Sequence, residues 1–262
     1  MNILRHLPAN AATTADPGWW TASWNGWWDA VVAGFARGVP LNAPAITLVL
    51  IIAAAIALSV PRASWRWFGL FVTFTHELGH ALAAMSTGRI VRGIRLRLDH
   101  SGEMVSHGRG KAGAAWAGFW GYPAPAVAGM LLIWSACGGW AGAALSVGAL
   151  LLLVALLFIR NPMGMLVAVV CAAIAQALVV FTPAEAVAYV AVSLGIALVV
   201  GSVKDWFKVA RVHARPGQAS SSDAYILARA TGVPSVVWLA GFAAVIGGSV
   251  AASFALLGGA VA

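Results

Sequence analysis

Seven stretches of mostly apolar residues divide the chain, at about 44–60, 65–86, 112–136, 141–159, 163–181, 185–205 and 234–257. A membrane-spanning helix needs about 20 such residues, within a range of about 17–25, so the pattern predicts an all-α polytopic membrane protein with about seven transmembrane helices. Gly138 and Gly139 part the third window from the fourth. The loop RNPMG at 160–164 parts the fourth from the fifth, with Pro162 and Gly164 supplying the break.

Two polar or mixed stretches interrupt the apolar pattern. From Ile94 to Asp99 apolar and charged residues alternate strictly, DHSG follows with turn chemistry, and EMVSH offers a return. This two-residue period predicts a small interfacial β-hairpin at about 89–107, after the second helix. Its edge, with Ile94, Leu96 and Leu98, is a candidate for holding an extended peptide as an added strand; the plainer role lays those side chains on lipid and aims Arg95 and Arg97 at headgroups. Before the first window, PGWWTASWNGWWDAVVAGFARG puts Trp20, Trp24, Trp27, Val31 and Phe35 near one helical face. Residues 1–43 are accordingly expected to lie at the headgroup level, where indole rings are favoured. Residues 44–262 form one membrane-embedded domain, with a cytoplasmic segment at about 206–233.

Composition sharpens this picture. Of 262 residues 61% are hydrophobic and only 9% charged, against about 25% charged in ordinary soluble domains. The formal charge of +8 does not imply a nucleic-acid partner, because the basic residues sit between apolar runs and their segregation orients a membrane protein. With seven spans, fourteen Lys and Arg fall on one side, and only Arg62 and Arg66 on the other. The expectation is an integral protein of a bacterial plasma membrane, with a cytoplasmic N-terminus and an outside C-terminus.

The second window carries the chemistry: His76, Glu77, Leu78, Gly79 and His80. Positions four apart share a helix face, so both imidazoles can reach one metal, and Glu77 is rotated so as to touch water beside it. Ionisable residues at this depth cost at least about 2.5 kcal/mol each on insertion scales, so three within five positions need a compensating partner. Cys137 and Cys171 lie in apolar runs, leaving His and carboxylate as ligands, a donor set that suits one Zn2+ per chain. A third ligand must come from the few acidic residues. Asp205 closes the sixth window, which runs in the same direction as the second, and is the first candidate. Asp223, in SSSDAYILARA, is the second; its plainer role is at a helix start.

HELGH on an early apolar helix, the basic hairpin after it, and the later VKDW and SSDA stretches resemble the site-2 protease family of intramembrane zinc metallopeptidases, in its compact bacterial branch. The resemblance covers about residues 65–240 and implies that His76 and His80 bind zinc, that Glu77 is catalytic, and that an aspartate on a later span, carried onto Asp205, completes the site. The family's Asn-x-x-Pro-x-x-x-Leu-Asp-Gly stretch does not occur here. RNPMG matches only its Asn and Pro, which makes Asn161 a candidate substrate-binding residue. The implied activity is hydrolysis of peptide bonds in or near transmembrane segments of membrane-protein substrates. The alternative is a membrane scaffold or regulator that binds zinc without turnover.

Overall fold

The computed structural model describes residues 19–214 and 222–260, with side chains from residue 26 onward. Ten helices and one hairpin follow in order: α1 (Trp19–Gly34), α2 (Ala45–Ser59), α3 (Arg62–Ser86), β1 (Ile90–Leu96), β2 (Gly102–His107), α4 (Lys111–Phe119), α5 (Pro123–Cys137), α6 (Ala141–Ala155), α7 (Pro162–Phe181), α8 (Ala184–His213), α9 (Asp223–Thr231) and α10 (Ser235–Gly258). Helices occupy all seven predicted windows, but seven separate spans are not what their lengths support. Three helices, α7, α8 and α10, are long and apolar enough to cross a bilayer; α2 and α3 add a fourth only as one span broken by an 86° bend. The window at 112–136 splits where Gly121-Tyr122-Pro123 ends α4 and starts α5. At 15 residues each, α5 and α6 reach about 22 Å, short of the roughly 30 Å hydrocarbon core.

The centre of the bundle is α8. Its most apolar stretch is 61% buried, against 28% for α10 and 17% for α7, which turn their remaining apolar faces outward. Glycines bring α5 and α8 together: a Cβ at Gly129 would stand 2.3 Å from the Gly195 carbonyl, so the two backbones touch. Alongside, α2 runs parallel to α8, with Ser193 Oγ donating to Ile51 O near its middle (3.4 Å) and Lys204 donating to Ser59 O at its end.

These contacts define two ends of the bundle, and they relocate the N-terminal segment. Gly38 N–H donates to Gly139 O, Leu41 N–H to Ala136 O and Ala43 N–H to Ala260 O, so residues 38–43 lie with Ala260 at the end opposite the hairpin. They were expected on the hairpin side. The physical reason is the bend after Ser59: α3 turns across the bundle and leaves one crossing between residue 43 and the hairpin where two were counted. Arg62 and Arg66 thereby join the hairpin end, and of the described Lys and Arg residues only Arg37, which donates to Gly138 O, stands at the other. In α1, Trp28, Val32 and Phe35 are exposed, while Trp27 and Val31 of the expected face are half-buried. The side chains of Trp19, Trp20 and Trp24 lie outside the described residues.

The hairpin forms where its alternation predicted, pairing Ile94 with Met104 and Leu96 with Gly102. Its turn is closed by Asp99, whose Oδ1 accepts from Ser101 Oγ (2.6 Å) and Ser101 N–H (2.9 Å); these bonds hold the Asp99 carboxyl below its usual range. Two expectations for this region are corrected. Ile94 and Leu96 do not face lipid but are 1% and 0% exposed, packed in the core with Phe74, Leu152 and Ile159; only Leu98 is exposed. Nor is the β1 edge open. Ile94 N–H donates to Phe158 O and Ile94 O accepts from Arg160 N–H, both at 2.9 Å. The Asn161 amide then acts as one more strand residue, with Oδ1 accepting from Leu96 N–H (3.0 Å) and Nδ2 donating to Leu96 O (2.6 Å). Asn161, expected to bind substrate, is spent on completing that edge.

Candidate active site

The chemistry gathers in a cavity of about 520 Å³ at the hairpin end, lined by α3, the hairpin turn, Tyr122, α8 and the start of α9. A larger cavity at the opposite end holds none of the HELGH residues. On α3, His76 and His80 stand one helical turn apart, as their spacing requires. Gly79 sits between them on the side facing α5: a Cβ there would meet Ala124 Cβ at 2.3 Å and Trp120 O at 2.5 Å. A glycine is needed for the α4–α5 turn to close over the two imidazoles.

Three ligand atoms converge. His76 Nε2 lies 3.1 Å and His80 Nε2 3.2 Å from Asp223 Oδ2, and the two Nε2 atoms are 3.1 Å apart. Donors bound at about 2.0–2.1 Å around a tetrahedral centre stand about 3.3 Å from one another, so the triangle has the size of one face of a zinc site. Hydrogen bonds alone account for it poorly. His80 Nδ1 is 2.7 Å from Ala117 O, an acceptor that holds a proton on Nδ1, so that in the neutral ring Nε2 is the atom able to bind a cation; the same second contact is what orients metal-bound histidines generally. Two imidazoles and a carboxylate in mutual contact cannot fill all three edges with linear N–H bonds. The donor set therefore fits a divalent cation, zinc above all, with one face left open.

The third corner is Asp223, and the first candidate, Asp205, is not part of the triangle. Asp223 opens α9, where Ser222 caps the helix by accepting from Tyr225 N–H, and α9 is seated on α4 through Leu227 against Gly118. The helix-start reading of Asp223 and its meeting with the imidazoles are thus both realised, since a first-turn aspartate also complements the helix dipole. Asp205 lies on the α8 wall of the same cavity. It makes no ion pair with Lys208 or Arg211 and no hydrogen bond among the described residues.

Glu77 packs against the hairpin. It is 5% exposed, and its carboxylate has no hydrogen bond or ion pair with any described residue, which leaves it free to handle a proton. The hairpin closes on it at Gly102, where a Cβ would come within 2.3 Å of Glu77 Oε1. Gly121 is packed close against the two Nε2 atoms of the triangle. A Cβ there would lie 2.4 Å from His80 Nε2 and 2.6 Å from His76 Nε2. Gly121→Ala is therefore expected to lower bound zinc to well under half of the unaltered protein's, read by elemental analysis of the purified chain; full zinc occupancy would mean the cation sits elsewhere.

Sequence reasoning missed Gly102, Gly121, Tyr122 and the Ala117 carbonyl. Only the Gly-Tyr-Pro break inside an apolar window signalled that the chain turns there. His100, at the hairpin turn, also lines the cavity, with Nε2 3.1 Å from Arg66 O.

An HExxH pair with His80 buried and His76 half-buried, a carboxylate closing the donor triangle and beside it a glutamate with no hydrogen bond among the described residues describe a metallopeptidase site within a bundle of apolar helices. The sequence model of the family described as Peptidase M50B-like matches residues 49–253, most of the chain. No curated protein and no solved structure matches it. By its sequence, and in agreement with this site, the chain belongs to the Peptidase M50B-like family, within the site-2 protease family of intramembrane metallopeptidases.

Proposed function

We propose that the protein is a zinc-dependent intramembrane endopeptidase that hydrolyses peptide bonds in or near transmembrane segments of membrane proteins. The observation that carries the reading is the triangle of His76, His80 and Asp223 with the unengaged Glu77 carboxylate beside it. His76, His80 and Asp223 would hold the zinc. When bound, zinc supplies Lewis-acid polarisation of the scissile carbonyl and eases deprotonation of water near neutral pH. Glu77 takes the proton of the attacking water and passes it to the leaving amine. A zinc scaffold without turnover would leave no purpose for a carboxylate held in this cavity with no hydrogen-bond partner among the described residues.

The hairpin also supports a substrate mode. A transmembrane helix must unwind before its carbonyls can be attacked, and an extended segment needs a strand edge. With the β1 edge filled by residues 158–161, the open one is on β2. Ile94 and Leu96 turn their main-chain groups outward to Phe158, Arg160 and Asn161, so their partners Met104 and Gly102 turn theirs the opposite way, since an antiparallel ladder alternates. That edge starts at Gly102, in contact with Glu77, and would deliver an added strand to the site. The concentration of Lys and Arg at the hairpin end orients it to the cytoplasm.

The test is cleavage of a model transmembrane substrate by the purified protein in lipid vesicles. Activity is expected to fall to background after a chelator removes the metal, and to return with one equivalent of Zn2+. Cleavage that persists in demonstrably metal-free protein would exclude this mechanism.

A further inference from the structure

Attack on a peptide carbonyl moves its π electrons onto oxygen, and a site that accelerates the step keeps a hydrogen-bond donor where that charge appears. Most polar side chains around the cavity are already committed. His100 Nε2 contacts Arg66 O, Thr73 Oγ1 donates to Gly69 O (2.9 Å), and Ser101 Oγ donates to Asp99. Lys204 donates to Ser59 O and lies over the Trp65 ring, while Lys208 is exposed to solvent.

Tyr122 is different. Its ring stands edge-on to His76, with centroids 4.8 Å apart at 87°, and stacks on Phe242 at 5.4 Å. The chain around it is fixed by Gly121 against both imidazoles, by Pro123 at the start of α5, and by Ser202 Oγ donating to Tyr122 O (2.7 Å). Though the residue is half-buried, its hydroxyl makes no hydrogen bond with any described residue, nor is it sealed from water. A rigidly placed phenol with an uncommitted O–H thus lines the cavity directly beside the metal-ligating histidine.

We propose that Tyr122 is a catalytic residue whose O–H donates a hydrogen bond to the oxyanion of the tetrahedral intermediate, an inference that rests on the peptidase reading of this site. The water oxygen bonds to the carbonyl carbon and the π pair moves to the carbonyl oxygen, while Glu77 receives the water proton. Tyr122 keeps its own proton throughout. When the C–N bond breaks, the pair on oxygen re-forms the carbonyl, the amine leaves with the proton from Glu77, and the phenol is ready for the next turnover. Since the hydroxyl binds the transition state more strongly than the flat peptide, its loss should appear in kcat.

The experiment compares the unaltered protein, Tyr122→Phe, Glu77→Gln and the double variant, each full-length, zinc-loaded and in lipid vesicles. For Tyr122→Phe the expected result is a fall in kcat of about 10²-fold with KM within about twofold, and unchanged zinc content. Affinity for a phosphinic peptide, a tetrahedral mimic of the intermediate, should fall by a similar factor. Binding of the intact substrate should be equal in Glu77→Gln and in the double variant, a comparison that reports folding independently of turnover. Undiminished kcat and phosphinic-peptide affinity in Tyr122→Phe would overturn the assignment, as would loss of zinc, which would make Tyr122 a structural residue. A zinc-loaded unaltered protein that cleaves no transmembrane substrate would overturn the peptidase reading, and this inference with it.

Discussion

Glu77→Gln is expected to lower peptide cleavage by about 10²–10⁴-fold, the usual range for removing a general base, while the chain keeps its full zinc content. The amide has nearly the shape of the carboxylate, so the contact with Gly102 survives. Because no described residue hydrogen-bonds Glu77, the substitution breaks no network that holds the fold, and the rate is the quantity that changes. Two measurements on the same preparation decide it: turnover of a transmembrane substrate and zinc per chain. A variant that cleaves at the unaltered rate would remove Glu77 from the chemistry. Loss of zinc together with rate would instead give the carboxylate a part in holding the cation, a different arrangement from the triangle seen here.

How far such residues can be read from sequence depends on whether their geometry is local. His76, Glu77 and His80 were legible because one helical turn fixes their relation, and the hairpin because strict apolar–charged alternation from Ile94 to Asp99 matches the two-residue period of a strand with one buried face. The third corner was not. Asp205 and Asp223 are both acidic residues late in the chain, and choosing between them required knowing that α9 folds back over α4 through Leu227 and Gly118, a contact between positions with no sequence relation. The span count failed for a related reason. Hydropathy records that residues 45–59 and 62–86 are apolar but not that the chain turns 86° between them. One undetected turn moved residues 38–43 to the other end of the bundle. Asn161 shows the reverse case: its place beside Pro162 suggested substrate contact, whereas its amide is used within the fold, on Leu96.

The same long-range packing makes the two aspartates separable by experiment. Asp223→Ala should lose most bound zinc, because removing its carboxylate leaves two imidazoles where a catalytic zinc takes three protein ligands. The accompanying fall in activity should approach that of Glu77→Gln. Asp205→Ala should keep about one zinc per chain, since Asp205 lies on the cavity wall outside the donor triangle. Elemental analysis after removal of loosely held metal reads both variants on one scale. Ser222→Ala supplies an intermediate case: it removes the cap of α9, costing about 1 kcal/mol of helix stability, and should loosen zinc without abolishing its binding, because the ligand remains while its placement is less firm. The reverse pattern, zinc lost with Asp205 and kept without Asp223, would mean that α9 does not carry the third ligand in the metal-bound protein. It would then be α8, through Asp205, that reaches the imidazoles, and the α9 contact seen here would be one the protein releases on taking up its cation.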